Sequence, residues 1–284
     1  MTQNTQLTKP DRKGPLCMLA AALFWSFGGI CIKFIPWGAM SIIGIRAVLA
    51  AAVFAIYRKS VKIDFTKSNI MAAICLSLTT VLFVFANKLT TAAAAILLQF
   101  SAPVFIILIE LVFYKKRPKL GETIAVLLTI AGMLLFFAGD LDESNTLGNI
   151  LAICSGLTFA GVFVCNKMPG VAPEQSMFLG FLINAAIGLP FVFSQVTADA
   201  LAWGAVVFLG IVQVGIAYLM FTFGIKRTAA LLACLITAIE PVLNPLWVAL
   251  ATNEKPGIYA IFGGILIVAT VVGYNIITER KKST

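Results

Sequence analysis

Gly14–Lys33 reads GPLCMLAAALFWSFGGICIK, and Gly148–Lys167 reads GNILAICSGLTFAGVFVCNK. Laid over one another at an offset of 134, the two stretches match Gly14 with Gly148, Leu23 with Leu157, Cys31 with Cys165 and Lys33 with Lys167. Further along, an offset of 138 brings Phe83, Phe85, Lys88, Thr90, Ala92, Leu97, Pro103, Val104 and Pro118 onto Phe221, Phe223, Lys226, Thr228, Ala230, Leu235, Pro241, Val242 and Pro256. The offsets differ by four residues, so connections changed length while the apolar stretches kept their register. The chain is read as a duplicated unit.

The composition says where that unit lives. Of 284 residues 60% are hydrophobic and only 12% charged, with a mean hydropathy of +0.99, far outside the range of soluble domains. Ten apolar runs stand out, at 14–33, 37–57, 68–87, 90–112, 120–138, 148–166, 175–194, 201–223, 228–250 and 257–277. Each approaches the ~20 residues with which an α-helix crosses the hydrocarbon core. Lipid offers the backbone no hydrogen-bond partner, so the runs are expected to be helices, and the strict alternation of a membrane β-barrel is missing. Lys13 followed by an apolar run invites a signal-peptide reading. That run is long, has no small-residue cleavage site and precedes nine others, so it is read as a retained first helix.

Basic residues set the orientation. With the N-terminus in the cytoplasm, 17 of the 21 Lys and Arg fall inside, all but Lys33, Arg46, Lys88 and Lys255. The loop between the halves, GDLDESNTLG from Gly139, carries three acids and no base. Both termini are therefore placed in the cytoplasm, with tails at 1–13 and 279–284, five-helix units at 14–139 and 148–278, and an external linker at 140–147. Five is odd, so the second unit enters the membrane from the opposite side to the first. The expected fold is an all-α integral membrane protein, ten transmembrane helices as two inverted five-helix repeats, a design that places a central site between the repeats.

These residues resemble a known family. The inverted repeat, GIRAVLAA at Gly44, LQFSAPVF at Leu98 and IEPVLNPLWVALATNEKP at Ile239 are similar to the EamA-type branch of the drug/metabolite transporter superfamily over about 14–277. One departure lies in the first unit, where YKKRPKLGE at Tyr114 puts Glu122 a few residues later than the family's Gly-Glu; Glu254 is its counterpart in the second. The resemblance implies a secondary transporter working by alternating access in the plasma (inner) membrane, exporting an amino acid or related small metabolite. A carrier of organic cations is the alternative, and a channel or lipid-handling protein a more distant one.

Glu240 sits in mid-span against Pro241. A charge at that depth costs about 2.5–3.5 kcal/mol on insertion scales, so it is expected to face the bundle interior with a partner: a proton, a cationic substrate group or an internal cation. Arg46 is the other charge at comparable depth. Either the two pair or bond to backbone, or Glu240 lines the central cavity. Pro103 and Pro241, at equivalent places in the fourth and ninth spans, are expected to kink their helices and free backbone carbonyls. Gln99, Asn184, Gln213 and Asn244 offer hydrogen bonds to substrate or act as interhelical glue. Trp25, Tyr218 and Trp247 offer aromatic faces to a ring or an ammonium group, whereas Trp37 and Trp203 are assigned to the interfacial belt. Glu110 is near enough to Lys115 and Lys116 for a local ion pair, with gating or proton relay as its other role.

Other chemistry is not expected. Histidine is absent, which removes zinc-protease motifs and His-based triads, and neither a Walker loop nor a mid-span aspartate is present. The six cysteines lack metal-ligand spacing and read as reduced core residues. No cofactor or metal is expected, and the protein is not read as an enzyme. The net charge of +9 sits at helix ends, where it answers to topology and anionic lipid rather than nucleic acid. The expected partners are a small-molecule substrate, protons and membrane lipid, for a monomer or homodimer.

Overall fold

The computed structural model describes residues 13–90, 92–136, 138, 145–192, 196–243, 247 and 258–283. Among them every regular element is helical. In order these are α1 (Lys13–Trp25), α2 (Gly28–Lys33), α3 (Ala39–Arg58), α4 (Lys67–Leu89), α5 (Ala92–Gln99), α6 (Ala102–Tyr114), α7 (Leu120–Phe136), α8 (Thr146–Cys165) and α9 (Pro173–Gly188). They are followed by α10 (Ala200–Arg227), wound as a π-helix over Leu209–Ile216, then α11 (Ala230–Thr237) and α12 (Ile258–Ser283). Among the described residues six helices are long and apolar enough to cross a membrane: Ala39–Arg58, Lys67–Leu89, Ala94–Tyr114, Thr146–Cys165, Ala200–Arg227 and Ile261–Thr278. Lys13–Trp25, Leu120–Phe136 and Ala230–Leu243 are shorter apolar helices.

Several starts are capped by the residue types that suit them. The Thr66 side chain accepts from Asn69 N, and the side chains of Asn145 and Asp199 accept from two backbone N–H groups each at the heads of α8 and α10. Leu, Ile, Val and Phe cover the outward surface, with Phe113 77% and Ile56 77% exposed. In a soluble domain that would be an aggregation surface; here it is the face that meets lipid.

Helices from the first half pack against helices from the second. α4 lies on α8, α1 on α10, α3 on α9 and α7 on α12, while α5 and α6 meet α8 and α1 meets α11. Small residues permit the closest of these crossings. A Cβ at Gly44 would stand 2.6 Å from the carbonyl carbon of Gly188, so α3 and α9 cross almost backbone to backbone. Trp37 departs from the interfacial role expected of it: it is buried, donates from Nε1 to Thr197 Oγ1 at 3.1 Å and meets Trp203 edge-on at 5.1 Å. That indole closes a short loop against the head of α10.

Among the described residues three apolar helical stretches are interrupted. α1 gives way to α2 at Ser26–Phe27, α5 to α6 at Phe100–Ser101, and α11 breaks at Ala238–Ile239 before helical backbone resumes at Glu240. The second and third breaks are 138 residues apart, the offset of the sequence repeat. They precede the prolines rather than coincide with them. Pro103 is the second residue of α6, and its missing N–H would have bonded the Gln99 carbonyl. That carbonyl lies against Gly156 of α8, where a Cβ would come within 2.7 Å. The carbonyl freed by Pro103 thus faces a close helix contact.

Candidate functional site

Each break delivers a polar or aromatic side chain to one place. Trp25 is the last residue before the break in the first span, Gln99 the last of α5, and Glu240 the first helical residue after the break beyond α11. Gln213 lies within the π-helical stretch of α10, an element that recurs at functional sites. All four line one cavity, together with Arg46, Tyr218, Thr79, Thr80, Phe83, Phe159 and Val214.

Two charged side chains share this cavity without touching. Arg46 is 5% exposed and Glu240 8% exposed, and the ion pairs among the described residues, Lys116 with Glu110 and Lys226 with Glu174, involve neither. Tyr218 lies within electrostatic reach of both. Nε of Arg46, Nε1 of Trp25 and Oε1 of Gln213 are buried with no hydrogen-bond partner among the described residues. Two donors and one acceptor on residues that line the cavity thus have no hydrogen-bond partner among the described residues.

The surroundings are by contrast well bonded. Gln99 donates from Nε2 to Ser155 Oγ at 2.7 Å, and Ser155 donates on to the Thr79 carbonyl at 3.1 Å. Gln213 Nε2 donates to the Trp25 carbonyl at 3.2 Å, capping the broken end of α1. Gly28 makes room for that reach, since a Cβ there would stand 2.6 Å from Nε2. One wall is aromatic: the Trp25 ring meets Tyr218 at 4.8 Å, Phe221 at 5.8 Å and Phe159 at 5.9 Å. The cavity measures ≈ 50 Å³, room for a few waters and well short of the roughly 300–1,000 Å³ of pockets that enclose a drug-sized ligand.

Of the residues singled out in the sequence, Trp25, Arg46, Gln99, Tyr218 and Glu240 come together here, with Gln213 beside them. Asn184 lies elsewhere, accepting from Ser77 Oγ at 2.5 Å between α4 and α9. Trp247 stacks on Phe27 at 4.9 Å and donates to Ser26 Oγ at 2.8 Å, holding the break of the first span. Glu110 pairs with Lys116 at the end of α6, and Pro103 and Pro241 flank breaks rather than line the cavity. Asn244 lies outside the described residues. Thr79, Thr80, Phe83, Phe159 and Val214 were not among the sequence candidates. The repeat itself points to two of them, because Phe159 matches Trp25 at 134 and Thr80 matches Tyr218 at 138.

A multi-pass helical membrane protein with a polar, broken-helix cavity in its interior has the form of a transporter. The model of the EamA-like transporter family matches residues 12–138 and again 146–276. The chain belongs to that family. It is 27% identical over 244 residues to the uncharacterized transporter YwfM of Bacillus subtilis (strain 168), covering 80% of this chain and 81% of that one. An uncharacterized transporter of Archaeoglobus fulgidus is 28% identical over 197 residues, 69% of this chain and 71% of that one. A protein named biotin transporter from Escherichia coli (strain K12) is 26% identical over 149 residues, about half of each chain at 49% and 50%. A protein of known crystal structure superposes with a TM-score of 0.78 over 93% of this chain and 97% of its own, at 20% identity, a likeness of fold.

Proposed function

We propose that the protein is a secondary carrier that moves a small metabolite, an amino acid or related compound, across the plasma membrane by alternating access between two inverted five-helix repeats. The observation that carries this reading is a pair of matching contacts. A Cβ at Gly14 would meet Thr228 Oγ1 at 2.7 Å, and a Cβ at Gly148 would meet Thr90 Cβ at 2.9 Å. Gly14 matches Gly148 at 134, and Thr90 matches Thr228 at 138. The head of each repeat's first helix thus packs on the partner repeat's third-to-fourth connection, as a two-fold relation between halves requires. This reading includes ten spans, cytoplasmic termini and repeat boundaries at 14–139 and 148–278, and the distribution of Lys and Arg supports it.

Alternating access is supported by the cavity. Its volume is too small for a metabolite, so entry must be coupled to opening, and the interrupted helices around it are the segments where bending is cheapest. Export, with the substrate gradient or a proton at Glu240 as driving force, follows the family resemblance. One chain encloses the pathway, so a monomer suffices and a homodimer would pair two complete carriers in the lipid. The relative named biotin transporter matches only half of either chain, and its substrate is not carried over.

The test is counterflow into proteoliposomes. Saturable uptake of labelled substrate, accelerated by unlabelled substrate inside, is expected; flux that fails to saturate and ignores the trans side belongs to a channel, and scrambling of labelled lipid to a lipid-handling protein. A second reading, carriage of an organic cation, is favoured by Glu240 beside the rings of Trp25 and Tyr218. Stimulation by amines alone would select it.

A further inference from the structure

A carrier needs two ends that close in turn, and the repeat points to the residues that close them. We propose that Phe221 and Phe83 are reciprocal gates of the cavity: Phe221 shuts its cytoplasmic end in this structure, Phe83 stands open at the external end, and transport exchanges their environments. This rests on the carrier reading, because the exchange follows from the two-fold relation between repeats and the ends are assigned from the distribution of Lys and Arg.

The two rings are repeat mates. Phe83 matches Phe221 at 138, each five residues ahead of the matched pair Lys88 and Lys226. About one turn before them Thr80 matches Tyr218, and both line the cavity. Phe159 and Trp25, which match at 134, line it as well. Were both repeats in one conformation, mates would have matching surroundings.

Their surroundings differ. Phe221 is 0% exposed, and its ring meets Phe163 at 5.3 Å, Trp25 at 5.8 Å and Tyr218 at 5.9 Å. Phe83 is half-buried and lines the cavity, which Phe221 does not among the described residues. The counterpart of the contact between Phe221 and Trp25 would set Phe83 against Phe159. Instead the Phe159 ring meets Trp25, Phe100 and Phe163 and, among the described residues, not Phe83. The aromatic cluster is therefore closed one turn toward Lys226 and open one turn toward Lys88.

Giving each repeat the other's conformation would pack Phe83 on Phe159 and bring Phe221 to the cavity wall. Burial of one ring then offsets exposure of the other, which keeps the two states close in free energy. Phe163 tips the balance between them. Its mate at 134 is Gly29, so the cytoplasmic closure holds a ring that the external one lacks, and the state closed at Phe221 is favoured.

The experiment uses Phe83→Cys and Phe221→Cys, each with and without Phe163→Leu, in liposomes carrying a charged maleimide on both sides. Peptide mass spectrometry separates the introduced thiol from the six native ones. Because reaction follows the population in which a position faces water, Phe83→Cys is expected to react at least about tenfold faster than Phe221→Cys. Adding Phe163→Leu is expected to raise the rate at position 221 and lower it at position 83. A merely loosened core would raise the first and leave the second untouched. If melting temperature shows that Phe221→Cys does not fold, the fall at position 83 alone decides the matter.

Equal rates at the two positions, or a rate at position 83 that ignores Phe163→Leu, overturns the proposal. Counterflow of radiolabelled L-amino acids in the same liposomes keeps the two readings apart. Counterflow with uncoupled labelling would leave the carrier standing and remove the gates; reciprocal labelling without counterflow would keep the gates and remove the amino-acid carrier.

Discussion

Gln213 donates from Nε2 to the carbonyl of Trp25 at 3.2 Å, and each residue stands where its helix leaves α geometry. Trp25 ends α1, so its carbonyl has no helical donor of its own. Gln213 lies in a π-turn, which rotates the following residues and turns the amide toward the break. The bond thus satisfies the orphan acceptor of one interrupted helix from the distorted part of another. It also ties down the backbone of Trp25, whose ring lines the cavity.

Removing that bond leaves the Trp25 carbonyl buried without a donor. Gln213→Leu is expected to cost about 1–3 kcal/mol and to lower transport in proportion to the loss of an ordered Trp25. Thermal denaturation in detergent measures the first and initial rates in proteoliposomes the second. A variant as stable and active as wild type would mean the break is held without Gln213.

Asn184 provides the contrast. It accepts from Ser77 Oγ at 2.5 Å, but its Nδ2 is buried with no hydrogen-bond partner among the described residues. Interhelical bonds of this kind average about 0.6 kcal/mol, and part of that is offset here by the unsatisfied amide. Asn184→Leu should therefore change stability by under about 1 kcal/mol, with the substrate affinity unchanged. A shift in affinity would place Asn184 in the transport pathway.

The Trp247 indole uses both its parts, stacking on Phe27 with an interplanar angle of 14° and donating to Ser26 Oγ. Trp247→Phe keeps the stacking surface and loses only the bond, so it is expected to retain most activity. Trp247→Ala removes both and should cost about 3 kcal/mol or more, with the break in the first span loosened. Limited proteolysis and melting temperature would rank the variants; equal behaviour would show the hydrogen bond to be the dominant tie.

Legibility varied with the physics involved. Hydropathy locates the apolar helices because chain length and composition alone decide what a bilayer accepts. Their interruptions are harder to read. Pro103 and Pro241 signal two breaks, yet the chain departs from helix two to three residues ahead of them, and the break at Ser26–Phe27 has only the following Gly28 and Gly29 as a cue. The π-turn at Leu209–Ile216 has no distinct composition.

For the site, depth in a span is readable but direction is not. Asn184 and Gln213 look alike in the sequence, and only packing sends one to a helix crossing and the other to the cavity. Hydroxyls mislead in the opposite sense: Thr79 donates to the Cys75 carbonyl of its own helix, a bond that makes any membrane threonine unremarkable, yet it also lines the cavity.

The repeat relation itself makes a quantitative prediction. Thr228 Oγ1 would lie 2.7 Å from a Cβ at Gly14, and Thr90 Cβ 2.9 Å from one at Gly148. Neither distance is tolerated without movement, and at both places the obstructing atoms belong to a helix connection rather than the tip of a long side chain. Gly14→Val and Gly148→Val should consequently destabilise by similar amounts, about 1–3 kcal/mol each, the usual cost of overpacking. The sites lie in different repeats with no shared partner, so the double variant should lose the sum of the two. Melting curves of the three variants in one detergent test this. A large loss at one glycine and none at the other would mean that the two connections are not structural mates, and the inverted-repeat reading would lose the contact that supports it best.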